Sequence, residues 1–154
     1  LLYELSQMSN KNHLRLTKLA LATGFRRSEL TNLTWRNIDL KKRIIYIHRK
    51  NCAAIDDSSV LRLVPLPEKA EKILEESNER NGKVIELSKG AARNGFDKAR
   101  KRAGLQTLRF HDLRHIAISR MWSSGMNALE ISACSGHRDI KMLMRYSHYE
   151  LSLL

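Results

Sequence analysis

Asn37-Ile38-Asp39-Leu40-Lys41-Lys42-Arg43-Ile44-Ile45-Tyr46-Ile47-His48 is where the chain changes its hydrophobic period. Residues 43–48 are a short run rich in β-branched side chains, and residues 37–40 precede them across a Lys41-Lys42 turn, which is a hairpin pattern. Leu61-Arg62-Leu63-Val64 reads as a third strand, stopped by Pro65 because proline cannot donate to a ladder. A small three-stranded antiparallel sheet is expected. On both sides of it the period is helical. Leu16, Leu19, Ala20 and Thr23 fall at i, i+3, i+4 and i+7, which predicts a helix over 13–23 ending at Gly24. A second helix is expected from Arg26 to Leu33. Downstream, Pro67 suits a helix start, with Ala70, Ile73 and Leu74 as the apolar face. Residues 89–103 read as a helix carrying Arg93, Lys98, Arg100, Lys101 and Arg102, a face equally suited to phosphate contacts or to plain solvation. Three more helices are expected over 111–124, 127–134 and 139–147, separated by Gly125 and Gly136. Helices, small sheet, helices: the fold class is α+β and mainly α.

One domain spanning 1–154 accounts for the length. A chain of this size buries roughly 68–70% of its unfolded surface, enough for a core without staples. Lys and Arg number 28 against 16 Asp and Glu, a net charge of +12. That balance points to an anionic partner, above all nucleic acid. Cys52 and Cys134 lack CxxC spacing and read as reduced thiols. No apolar run approaches the roughly 18 residues that span a bilayer, and no secretory leader pattern is present.

The helix expected from His111 places His111, Arg114 and His115 at i, i+3 and i+4, on one face and in its first turns. Cations there oppose the helix dipole, and Asp112 offsets only part of this. A helix start carrying Arg and His suits a phosphate. The His111–His115 spacing also occurs in zinc sites, but position 112 is Asp instead of the Glu of H-E-x-x-H, and no further ligand cluster completes a site. No metal and no cofactor are expected. Tyr146, on a helix from Asp139 with Ile140, Leu143, Met144 and Ser147 as its apolar stripe, points about 120° from that stripe and so away from the core. A phenol is protonated at neutral pH, with a reference pKa of about 10, and needs a base or positive charge beside it to attack.

Phe110-His111-Asp112-Leu113-Arg114-His115, then Ser135-Gly136-His137, then Tyr146 nine residues after His137, resemble the C-terminal signature of the tyrosine recombinases, or phage-type integrases. Thr23-Gly24-Phe25-Arg26-Arg27-Ser28-Glu29-Leu30 resembles that family's first-arginine box, and Arg62-Leu63-Val64-Pro65-Leu66 the strand end after its hairpin lysine. The resemblance implies a catalytic set of Arg26, Lys50, His111, Arg114, His137 and Tyr146. Arg26 and Arg114 would clamp the scissile phosphate, and Tyr146 would attack it to give a 3′-phosphotyrosyl link. His111 would assist proton transfer at the tyrosine, His137 would hydrogen-bond the phosphate, and Lys50 would protonate the leaving 5′-oxygen. Glu29 reads as orienting Arg26 and its helix, outside the chemistry.

Three departures stand out. Lys50 lies fifteen residues before Pro65, a longer hairpin than the family's usual one. Ile116 and Ser135 stand where Thr and Leu are common, and read as packing changes. The family's N-terminal helical clamp domain is not in this stretch, so weak and salt-dependent DNA binding is expected of it alone. The resemblance implies a site-specific DNA recombinase that works on double-stranded DNA as a homotetramer. Accessory DNA-bending or directionality proteins would act beside it, in the cytoplasm of a prokaryote or for a phage or mobile element, and no membrane would be involved. The alternatives are a type IB-like topoisomerase or an inactive DNA-binding module. The tail after Tyr146 is expected to pack on its own domain or on a neighbouring subunit.

Overall fold

The computed structural model describes residues 1–48, 61–77, 80–137, 139–144 and 146. Lys50, Cys52 and the tail after Tyr146 lie outside them. The first helices are α1 (Leu2–Ser6), α2 (Asn12–Thr23) and α3 (Arg27–Asn32). Then come β1 (Ile38–Asp39), β2 (Ile44–His48) and β3 (Leu61–Pro65). The chain returns to helix in α4 (Glu68–Glu75), α5 (Lys89–Arg102), α6 (Phe110–Ser123), α7 (Ala128–Ser135) and α8 (Lys141–Met144). The architecture is mainly helical with one antiparallel sheet in the order β1-β2-β3, as the change of period indicates.

In the sheet Ile45 faces Val64 and Ile47 faces Arg62. Ile45, Ile47 and Val64 are buried while Leu63 is exposed, the period-2 alternation of a half-covered sheet. Arg62 breaks the apolar pattern: it lies on the core side and is 9% exposed. Helix α2 is central, with Leu16, Leu19 and Ala20 buried against α6 and α4. It ends where Gly24 turns left-handed (φ 68°) and donates its N–H to the Ala20 carbonyl at 2.9 Å. The polar side chain of Asn127 caps α7, accepting from the Leu129 and Glu130 N–H groups, and Glu130 returns a bond to Asn127 N. Helix α5 comes close to α2 because Gly95 has no Cβ: one there would run into the His13 ring. His13 Nδ1 is buried without a hydrogen-bond partner among the described residues.

Two expectations need correction. Strand β1 is two residues long, shorter than the four-residue stretch read from residues 37–40. The last helix stops at Met144, not at 147. The reading of Tyr146 as pointing away from the core fails for that reason. A helical wheel no longer applies past the helix end, and the chain turns there, Tyr146 N donating to Leu143 O at 2.9 Å. The turn carries Tyr146 inward to 6% exposure, while Met144 of the supposed stripe is exposed.

Candidate active site

Arg26 occupies the N-cap of α3. Its backbone N–H donates to Glu29 Oε2 at 2.7 Å and its Nη1 meets Glu29 Oε1 at 3.1 Å. One carboxylate thus caps the helix and aims the arginine, as the sequence suggested for Glu29. The same Oε1 lies 3.3 Å from Arg62 Nη2. Arg62 reaches on to α7, donating through Nη1 to the Cys134 carbonyl at 2.6 Å, with its guanidinium 5.3 Å from the centre of the Phe25 ring. A buried arginine therefore ties β3, α3 and the end of α7 together.

Arg114 sits in α6, 3% exposed. Its Nη1 donates to the Gly24 carbonyl at 2.7 Å, and its Nη2 lies 3.2 Å from His137 Nδ1 and 3.4 Å from Nε2. Burial, then the nearby Arg26 charge, push the Arg114 guanidinium down to about 10. It remains charged at neutral pH, held in a place that an anion would stabilise. His137 follows Gly136, the left-handed residue (φ 72°) that ends α7. Ser135 Oγ is 2.7 Å from His137 Nδ1. Its expected role as mere packing is therefore too small, because it is bonded to a site histidine.

Arg26, His111 and Arg114 line one groove of about 410 Å³ together with Arg27, Lys89 and Arg109. No carboxylate lines it among the described residues. Desolvation, followed by the His115 and Arg114 charges, lowers the pKa of His111 from its usual value. Its ring meets His115 edge-on, centroids 4.9 Å apart. His115 Nδ1 is in turn hydrogen-bonded to the Tyr146 hydroxyl, with the two rings stacked 5.8 Å apart. The sequence reading gave the tyrosine's proton to His111 and left His115 without a role; His115 is the histidine found on the phenol. The shared helix face of positions 111, 114 and 115 was the signal. So the fold joins Arg26, His111, Arg114 and His137 into one cluster and sets Tyr146 at its edge through His115.

The model of the phage integrase family matches residues 2–151 of this sequence. The chain belongs to the phage integrase family. A shufflon-specific DNA recombinase from Escherichia coli is 37% identical over 133 residues, covering 84% of this chain and 33% of that protein. The integrase of Salmonella phage P22 is 29% identical over 147 residues, covering 86% of this chain and 38% of that one. The chain thus spans little more than a third of these relatives. The catalytic domain of bacteriophage HP1 integrase superposes with a TM-score of 0.75 at 26% identity, over 96% of this chain and 81% of that domain. This chain therefore has the fold of an integrase catalytic domain. No helix among its described residues is long and apolar enough to cross a membrane. The topoisomerase alternative gains no support from these relatives.

Proposed function

We propose that this chain carries the strand-transfer site of a site-specific DNA recombinase. One observation carries the reading: a cationic groove shared by Arg26, His111 and Arg114 adjoins a tyrosine whose hydroxyl rests on a histidine. Two planar guanidiniums suit the two non-bridging oxygens of a phosphodiester better than point charges do. In this reading Tyr146 Oη attacks phosphorus and its proton passes to His115 Nδ1. The P–O5′ bond breaks, the DNA 3′-phosphate is joined to Tyr146, and the 5′-oxygen leaves as a hydroxyl. Its proton comes from Lys50, an assignment that rests on the resemblance. His111 and His137 hydrogen-bond the phosphate. Attack by another 5′-hydroxyl reverses the step and rejoins DNA without ATP, because the phosphoester bond is conserved.

The magnitudes are adequate without a metal. Positioned acid–base groups supply about 10²- to 10⁴-fold each, and fixed charges at the developing phosphorane a comparable factor. Double-stranded DNA is the substrate, and joining two duplexes calls for four copies, hence a tetramer on DNA. The test uses nicked duplexes from a randomised pool, incubated with the intact protein. A denaturation-resistant DNA adduct that disappears in Tyr146→Phe, with DNA binding retained, is expected. No adduct from any duplex that the protein binds tightly would sink the reading.

A further inference from the structure

His137 is braced from two sides. Ser132 Oγ donates to the His137 carbonyl at 2.7 Å. Ser135 is fully buried, and its Oγ lies 2.6 Å from the Ile131 carbonyl and 2.7 Å from His137 Nδ1. The left-handed turn at Gly136 lets side chains two residues apart meet in this way. A serine hydroxyl has one hydrogen, and a backbone carbonyl can only accept. Both short contacts are hydrogen bonds together only if Ser135 donates to Ile131 and accepts from a hydrogen on Nδ1. Arg114 Nη2 is within reach of both ring nitrogens, 3.2 Å from Nδ1 and 3.4 Å from Nε2, and its distances do not choose between them. A guanidinium has donors alone, so its Nη2 serves the ring nitrogen that lacks a hydrogen. With Nδ1 committed to Ser135, that nitrogen is Nε2, 3.4 Å away.

We propose that Ser135 is a positioning residue that holds His137 in its Nδ1–H form and makes Nε2 the ring atom offered to the phosphate site. The use of Nε2 rests on the strand-transfer reading; the placement of the hydrogen does not. In this tautomer Nε2 is an acceptor, with Arg114 Nη2 3.4 Å away. It becomes a donor to a phosphate oxygen once it gains a proton. An aliphatic residue at 135 would leave the Nδ1 hydrogen without this acceptor, and the ring would be released to turn over or to change tautomer.

The experiment is nitrogen NMR of the histidine rings in ¹⁵N-labelled chain, in wild type, Ser135→Ala and Ser135→Thr, with and without inorganic phosphate. Wild type is expected to show His137 protonated at Nδ1, and added phosphate to move the Nε2 resonance most. Ser135→Ala is expected to lose that preference, and Ser135→Thr, which keeps the hydroxyl, to restore it. On a nicked duplex selected for adduct formation, Ser135→Ala should form adduct about tenfold more slowly, part of what a positioned proton-transfer group supplies. DNA affinity should stay unchanged, and Ser135→Thr should recover the rate. A wild-type His137 protonated at Nε2, or a Ser135→Ala ring with the wild-type tautomer, overturns the proposal. If the tautomer depends on Ser135 but no variant forms an adduct, the assignment stands and the strand-transfer reading falls. If adduct forms and the tautomer ignores Ser135, the reverse holds.

Discussion

Glu29 is the residue on which both Arg26 and Arg62 depend. Its carboxylate touches Arg26 on the groove side and Arg62 on the core side, and it is itself 13% exposed. Removing one partner of a buried ion pair leaves an uncompensated charge, which costs about 3–5 kcal/mol. Arg62 keeps its bond to the Cys134 carbonyl, so the lower end of that range applies. Glu29→Ala should therefore lose about 3 kcal/mol in urea unfolding. It should also weaken adduct formation by letting Arg26 swing out. A loss below about 1 kcal/mol, the range of surface pairs, would show that the Arg62 contact is solvated. The role of Glu29 was legible in the sequence because three residues separate an N-cap from the acid that closes its box. Arg62 was not. Its neighbours Leu61, Leu63 and Val64 made a strand, and nothing in that pattern says an arginine will face inward. That depends on a carboxylate and a carbonyl supplied from residues 29 and 134, far off in the chain.

At the scale of elements, the end of α7 is the most constrained point. Gly136 has a left-handed backbone, and a Cβ there would sit 2.6 Å from Arg62 Nη1. That guanidinium cannot retreat without giving up the Cys134 carbonyl and the Glu29 carboxylate. Gly136→Ala should then cost about 2 kcal/mol or more, above the strain of left-handed backbone alone. Gly104→Ala is the control, since it has the same sign of φ and open space around it. Equal losses in calorimetry would discard the clash. Longer elements such as α2 and α4 were readable from periodicity, because each carries an apolar face, whereas the five-residue α1 was not read at all. The last element was not readable either: α8 has four residues, too few for a period to show, and Tyr146 stands outside it. What places Tyr146 is a turn bond to Leu143 and a histidine on α6, neither of which a helical wheel contains.

For the whole molecule, charge and protons set the conditions of stability. Burial lowers the pKa of both His13 and His111 from the usual 6.5. Below pH 6.5 the unfolded chain then binds more protons than the folded one, so stability falls as pH falls through the ordinary histidine range. The melting temperature should drop between pH 7.5 and pH 5.5. His13→Leu, which keeps an apolar ring-sized group against Gly95, should flatten part of that slope. A slope identical in His13→Leu and wild type would remove His13 as a source. The overall charge of +12 was plain from composition. The concentration of cations in one groove was not, because it gathers residues 26, 27, 89, 109, 111 and 114 from three parts of the chain.

Gly24 links two of the groove's arginines. Arg114 is anchored on the Gly24 carbonyl, and Arg26 leaves the same main chain two residues later. The two guanidiniums thus hang from one short span of peptide, like the jaws of a caliper on a common beam. Under the strand-transfer proposal, α2 and α6 can therefore drift in sequence while the two arginines stay tied to one stretch of main chain.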